Sequence, residues 1–173
     1  MVIDAIFNSN KVSSNNNEAI ELFSKQRFGE KDNEKIYYML EEAYYLVEQK
    51  KMKVLNNNLR ELTKEDILKK FIKIDKDFLL NYFVFRDLKK KGYIVKPGLK
   101  FGVKFRVYDK GNKIEKSHSK WLCFIVKESD KINWYDFASK NRVANSTKKS
   151  LLICVVDLEN DITYYESNWK KIM

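Results

Sequence analysis

The chain contains one histidine, His118, which stands ten residues after Tyr108 in a C-terminal half rich in lysine and aromatic residues. A single imidazole excludes an acid–base pair of two histidines within one chain, and it excludes a histidine-rich metal cage. It must work with groups of other kinds, and the chain offers tyrosine and lysine in quantity. One imidazole with a phenol and an ammonium suits metal-free cleavage of RNA, which needs proton transfer and charge stabilisation together.

Tyr108 closes an alternating run. Phe101, Val103, Phe105 and Val107 alternate with Gly102, Lys104, Arg106 and Tyr108. In a strand this places Tyr108 on one face with Lys104 and Arg106. Neighbouring cations favour a phenolate, so Tyr108 reads as a base or proton carrier. With ten tyrosines in the chain, an ordinary amphipathic tyrosine at a strand end is the competing reading. His118 lies in Lys116-Ser117-His118-Ser119-Lys120, a polar stretch leading into an apolar run from Trp121. Flanked by lysines at a strand mouth, it is positioned to meet a phosphate; a surface-loop histidine is the alternative.

Lys148 and Lys149 precede a second apolar run, and composition does not separate them. A lysine at a strand mouth can present its ammonium to a phosphorane. Arg142 stands out where lysine dominates. Its planar fork can stack on a base or grip phosphate with two hydrogen bonds, which lysine does less well. Asp157, Glu159 and Asp161 form an acidic turn that lacks the ligand pattern and glycine of an EF-hand loop. It reads as a solvated turn or as an acidic plug for a basic partner surface rather than as a metal site.

Charge and cysteine usage set the context. Lysine plus arginine outnumber aspartate plus glutamate by 34 to 24, a formal charge of +10, which favours a polyanionic partner, nucleic acid before membrane. Cys123 and Cys154 lie inside apolar runs, so buried free thiols in a reducing compartment are expected, with a disulfide between neighbouring strands less favoured. Two cysteines and one histidine fall short of the four ligands of a structural zinc site. The first residues lack the pattern of a signal peptide, and no apolar run is long enough to span a bilayer. A cytoplasmic protein is expected, with no cofactor and no metal.

The elements that must position these residues follow from periodicity. Residues 2–7 read as a strand, 18–23 as a short helix or strand, and 34–51 as a helix with one apolar stripe. Residues 52–55 read as a short strand. Thr63, with Asp66 three residues later, caps a helix over 64–74. A second helix over 78–91 is stopped by Gly92. Residues 93–96 are extended and Pro97-Gly98 turns the chain. The alternating run over 101–108 is the clearest strand signal. Residues 121–127 and 151–157 read as buried strands, 161–167 as a further strand, and 134–148 as a helix between them. The expected fold is α+β: a small helical or mixed N-terminal domain over 1–76, then a C-terminal domain over 77–173 with a mixed sheet and packed helices, nuclease-like in kind.

Several separated motifs occur in one order. They are Tyr93-Ile-Val-Lys-Pro-Gly-Leu-Lys-Phe-Gly-Val-Lys-Phe-Arg-Val-Tyr108-Asp-Lys-Gly, then His118-Ser, then Lys148-Lys149-Ser-Leu-Leu-Ile-Cys-Val-Val-Asp157. Together they resemble the archaeal tRNA-splicing endonucleases over the C-terminal half, while the N-terminal half is similar only in size and element types. The resemblance implies cleavage of precursor tRNA at bulge–helix–bulge junctions without a metal, leaving a 2′,3′-cyclic phosphate and a 5′-hydroxyl. It assigns the catalytic roles to Tyr108, His118 and Lys149, choosing Lys149 over Lys148. It makes Arg142 a base clamp; Lys104, Arg106 and Lys148 are expected as further RNA contacts beside it. Asp157, Glu159 and Asp161 resemble the loop that inserts into a neighbouring subunit. The implied assembly is a tetramer, either of identical chains or with a non-catalytic paralogous subunit.

There are departures. Ala144-Asn145-Ser146-Thr147-Lys148 replaces a more usual His-Ser-Val-Arg pattern, and Tyr164 stands near the expected place of a second clamp arginine. The rival reading is a non-catalytic RNA-binding or structural subunit of the same assembly, which need not keep Tyr108, His118 and Lys149 together.

Overall fold

The computed structural model describes residues 2–111, 118–170 and 172. Lys116 and Ser117 lie outside them. The chain divides into two compact units, Met1–Tyr82 and Phe83–Met173. Each holds a five-stranded mixed sheet with helices, so the α+β expectation holds.

In the first unit the strands run in the order β3-β4-β2-β1-β5. They are β1 (Ile3–Asn8), β2 (Lys11–Ser14), β3 (Glu30–Asp32), β4 (Lys35–Tyr38) and β5 (Met52–Leu55). The β1–β2 hairpin is tight because Ser9 and Asn10 both adopt positive φ, 48° and 65°, the conformation that a two-residue turn between twisted strands requires. The helices are α1 (Asn17–Gln26), α2 (Leu40–Glu48) and α3 (Lys64–Ile74). Asn16 caps α1 by accepting from the Ala19 N–H at 3.0 Å. Thr63 caps α3 by accepting from the Asp66 N–H at 3.1 Å, as its sequence predicts.

The helix expected over 34–51 is corrected. Residues Lys35–Tyr38 are a strand, and only Leu40–Glu48 are helical. Ile36, Tyr37 and Tyr38 favour a pleated surface, and β4 pairs on both sides, with β2 and β3. The apolar spacing that mimics a helix there spans two elements.

The second unit carries the candidate chemistry. Helix α4 (Phe78–Lys90) begins before the division between the units and ends in the second. Then come β6 (Ile94–Pro97), a short 3-10 turn at Leu99–Phe101, β7 (Phe105–Tyr108), β8 (Trp121–Lys127), α5 (Trp134–Ser146), β9 (Ser150–Val156) and β10 (Ile162–Ser167). The sheet order is β10-β9-β8-β7-β6. Among the described strands of this sheet only the β8–β9 pair is parallel, because α5 carries the chain back between them.

The alternating run over 101–108 proves to be two structures. Leu99–Phe101 is a 3-10 turn, Gly102 takes φ +71°, and the strand starts at Phe105. Lys104 therefore stands before the strand rather than in a stripe with Arg106. Gly98 brings the turn close to β7, because a methyl group there would meet the Phe105 carbonyl carbon at 2.7 Å.

Pairing sets the two faces of this sheet. Phe105, Val107, Trp121, Cys123, Leu152, Cys154 and Tyr164 share one face, by register. On that face Phe85 of α4 packs on Phe105 with ring centres 5.9 Å apart. The other face carries Leu122 and Leu151, buried with Val103 and with Ala144 of α5. Both cysteines are free and buried, and burial, with Cys123 beside it, holds the Cys154 thiol well above its usual range.

Candidate active site

Three strand ends meet at one end of the second sheet. Antiparallel pairing sets Val107 opposite Trp121, and parallel pairing sets Trp121 opposite Ser150. The C-terminal end of β7 therefore lies beside the N-terminal ends of both β8 and β9. Two backbone hydrogen bonds join the three ends: the Lys120 N–H donates to Val107 at 2.9 Å, and the Ser150 N–H donates to Lys120 at 3.0 Å. Tyr108 follows Val107, His118 precedes Lys120 by two residues, and Lys149 precedes Ser150. Positions far apart in sequence are thus brought to one edge.

Tyr108 ends β7 and is buried, with 4% of its surface exposed. The Arg106 guanidinium carbon lies 5.7 Å from its ring centre, so these two residues share the face that alternation predicts. Asp109 then turns the chain by accepting from the Lys110 N–H at 2.9 Å. Its other oxygen faces the Lys120 ammonium at 3.4 Å, which ties the exit from β7 to the entry into β8. That backbone hydrogen bond, helped by Lys120 and Lys110, holds the exposed Asp109 carboxyl below its ordinary range. His118 is exposed just before this entry, and the adjacent Ser119 is buried.

Lys149 is held by the tight passage from α5 into β9. Lys148 takes φ +56°, and the Lys149 N–H donates to the Ala144 carbonyl at 2.9 Å. The Lys149 Nζ donates to the Thr147 carbonyl at 2.9 Å and stands 5.2 Å from the Phe101 ring centre. Burial pushes its pKa below the usual lysine value, and the charges of Arg106 and Lys100 push it further the same way. Lys149, Arg106 and Tyr108 therefore form a continuous electrostatic neighbourhood. Phe101 and Lys100 belong to it and were not singled out from the sequence. Their signal was the turn Pro97-Gly98, which folds the residues after it back over β7.

The other expected residues lie at different places. Arg142 is exposed on α5 and Lys148 is exposed in the passage that follows; Lys104 is half-buried. Asp157, Glu159 and Asp161 form the β9–β10 turn. One Asp157 oxygen accepts from the N–H groups of both Glu159 and Asp161 at 2.9 Å, so that carboxylate shapes the turn while Glu159 and Asp161 face solvent. Tyr164, near the expected second clamp, donates its hydroxyl to Asp87 of α4 at 2.6 Å. Among the described residues no three His, Cys, Asp or Glu side chains are grouped to hold a metal ion. No helix among them is long and apolar enough to cross a membrane.

Comparison with known proteins gives the family of the chain. A family model described as the tRNA intron endonuclease catalytic C-terminal domain matches residues 78–164, and one for the N-terminal domain matches residues 3–68. The chain belongs to the tRNA intron endonuclease family. The tRNA-splicing endonuclease of Pyrococcus abyssi is 40% identical over 171 residues, covering 98% of each chain. That of Nanoarchaeum equitans is 42% identical over 136 residues, covering 75% of this chain and 86% of its own. That of Methanothermobacter thermautotrophicus is 37% identical over 150 residues, covering 86% and 85%. As a tRNA intron endonuclease the chain is an enzyme, and the sheet end just described lies within the stretch matched by the catalytic model.

Proposed function

We propose that this tRNA intron endonuclease cuts precursor tRNA at bulge–helix–bulge junctions by a metal-independent transesterification. The convergence of Tyr108, His118 and Lys149 at one sheet end carries this reading. Tyr108 takes the proton of the ribose 2′-hydroxyl. The 2′-oxygen attacks the adjacent phosphorus, the P–O5′ bond breaks, and His118 protonates the departing 5′-oxygen. Lys149 stabilises the negative phosphorane between these steps, a preorganised electrostatic role. The products are a 2′,3′-cyclic phosphate and a 5′-hydroxyl. The substrate supplies its own nucleophile, which restricts the reaction to RNA.

Arg142 and Lys148, both exposed, contact the RNA, with Arg106 beside Tyr108 and Lys104 ahead of β7 as further contacts. Residues 77–173 carry the catalysis and residues 1–76 support the assembly. The Asp157–Asp161 turn enters a neighbouring subunit of a tetramer, formed either by this chain alone or with a non-catalytic sister chain. The mass and activity of the chain purified alone distinguish these two assemblies.

The deciding experiment uses a precursor tRNA with a single 2′-deoxy substitution at the cleavage site. Cleavage there stops, while cleavage of the unmodified RNA continues in excess chelator. Survival of cleavage at the deoxy site, or its loss on chelation, would overturn the mechanism.

A further inference from the structure

Several lysines of the second unit are neutralised by carboxylates. Lys91 pairs with Asp87 at 2.6 Å, Lys120 with Asp109 at 3.4 Å, and Lys140 with Asp136. Lys149 is treated differently. It is half-buried, yet no carboxylate among the described residues lies within ion-pairing distance of it. Its ammonium donates to the Thr147 carbonyl at 2.9 Å and stands 5.2 Å from the centre of the Phe101 ring. The exposed Lys100 ammonium lies 5.1 Å from the same ring centre, and it too has no carboxylate partner among the described residues.

The fold fixes the ring. The Phe101 N–H donates to the Gly98 carbonyl at 2.8 Å and closes the 3-10 turn. The side chain packs against the buried cluster of Val103, Leu122, Leu151 and Ala144. The Ala144 carbonyl also accepts from the Lys149 N–H at 2.9 Å. One residue of α5 therefore helps to seat both the ring and the backbone of the lysine.

A cation that acts on a phosphorane must keep its charge. A carboxylate beside it would hold it in place but would cancel its field at phosphorus. The face of an aromatic ring attracts an ammonium through its quadrupole and carries no net charge. The charged groups acting on Lys149 are Arg106 of β7 and Lys100 of the turn, and with burial they oppose its protonated form. The ring face works in the other direction and favours the ammonium.

We propose that Phe101 is a positioning residue for the reaction: its ring face holds the Lys149 ammonium at the strand ends and leaves the charge available to the phosphorane. This deepens the RNA-cleaving reading above and rests on it. The turn after Pro97-Gly98 is then part of the catalytic apparatus, although no atom of Phe101 touches the reacting groups.

The test uses the full chain and a bulge–helix–bulge RNA. Phe101→Leu keeps apolar cover over the site but removes the ring face. It lowers kcat about 3–30-fold, the scale of one cation–π contact, with KM little changed. It also moves the alkaline limb of the rate profile to lower pH, because the ammonium has lost a group that favours it. Phe101→Tyr keeps the ring and restores most of the rate. In a Lys149→Met chain, Phe101→Leu adds no further loss. Phenylalanines of increasing fluorination placed at position 101 keep the shape of the ring while weakening its negative face, and they slow cleavage stepwise. That series decides the matter should Phe101→Leu fold poorly. Losses that multiply in the Lys149→Met chain, a limb that stays in place, or a rate indifferent to fluorination would overturn the proposal. So would a rise in KM alone, the mark of a direct substrate contact. If the unaltered chain cuts RNA and Phe101→Leu cuts it equally well, only this proposal fails. If the unaltered chain cuts no RNA, the functional reading fails and this falls with it.

Discussion

The Arg106 guanidinium stands 5.7 Å from the centre of the Tyr108 ring, and the same charge reaches Lys149, whose pKa lies below the usual lysine value through burial first and Arg106 second. The proposed mechanism requires an ammonium to stabilise the phosphorane, so cleavage is expected to fall as pH rises through this depressed pKa. The alkaline limb of the rate profile therefore lies below the ordinary lysine range. Arg106→Gln removes one depressing charge and moves the limb to higher pH, while burial keeps it below that of a free lysine. A rate profile of the two proteins checks the direction, and an unmoved limb would count against Lys149 as the titrating group.

Stability gives an independent reading of Lys149. With a folded-state pKa below the unfolded value, the unfolded chain binds the extra proton more readily between the two. The ammonium therefore disfavours the fold below that window, and the penalty is lost as pH rises through it. Lys149→Met leaves Tm at neutral pH unchanged or raised while slowing cleavage by about 10²–10³-fold, the loss typical of removing one preorganised electrostatic contact. Calorimetry and single-turnover cleavage on one preparation separate the two effects.

His118→Ala slows cleavage by about 10²–10⁴-fold, the usual value of a positioned acid. The side chain is exposed, so thermal stability is unchanged. An RNA with sulfur in place of the 5′-bridging oxygen restores most of the rate, since a thiolate leaves without protonation. A variant equally slow on both RNAs would remove His118 from the acid role.

Two glycines near the site differ in why they are glycine. Gly98 has an ordinary φ of −110°, but a methyl group there would lie 2.7 Å from the Phe105 carbonyl carbon and 2.9 Å from its oxygen. Gly102 has φ +71° and open space around it. Gly98→Ala overpacks the turn against β7 and costs about 1–3 kcal/mol, with a loss of cleavage as β7 shifts. Gly102→Ala carries only the left-handed strain of about 1–2 kcal/mol. Urea denaturation and cleavage rates of both variants test whether activity loss tracks the approach to β7.

Tyr164→Phe deletes a 2.6 Å hydrogen bond to Asp87, which keeps its 2.6 Å contact with Lys91. Burial and the Asp87 carboxylate hold the Tyr164 hydroxyl protonated far above its usual range. The variant loses about 1–2 kcal/mol of stability by denaturant titration, with no new pH dependence between pH 6 and roughly 9.

Much of this unit was legible in the sequence. The apolar runs after His118 and Lys149 are too continuous for anything but buried strands, and β8 and β9 occupy nearly those residues. Their parallel pairing was not legible, because periodicity reports faces and not neighbours. The alternation from Phe101 read through a 3-10 turn, since Gly102 at positive φ preserves the spacing while breaking the strand. Tyr108 was placed on its correct face, yet its burial was hidden, as an amphipathic strand-end tyrosine reads the same buried or exposed. The first unit was harder. Its strands β2 and β4 are four residues each, and the turn at Ser9 and Asn10 uses residue types common throughout this asparagine-rich chain.

The β8–β9 pair also sets when the site can exist. It is the parallel pair of the sheet, and it closes only after the whole of α5 has been traversed. Closures of such long segments are slow and come late in folding. Until β9 docks, Lys149 has no fixed place at the sheet end where β7 closes with Tyr108. A chain without the β8–β9 pairing therefore holds Tyr108 and His118 without Lys149 at the same sheet end. On the proposed mechanism, the cleaving site is complete only once β9 has joined the sheet.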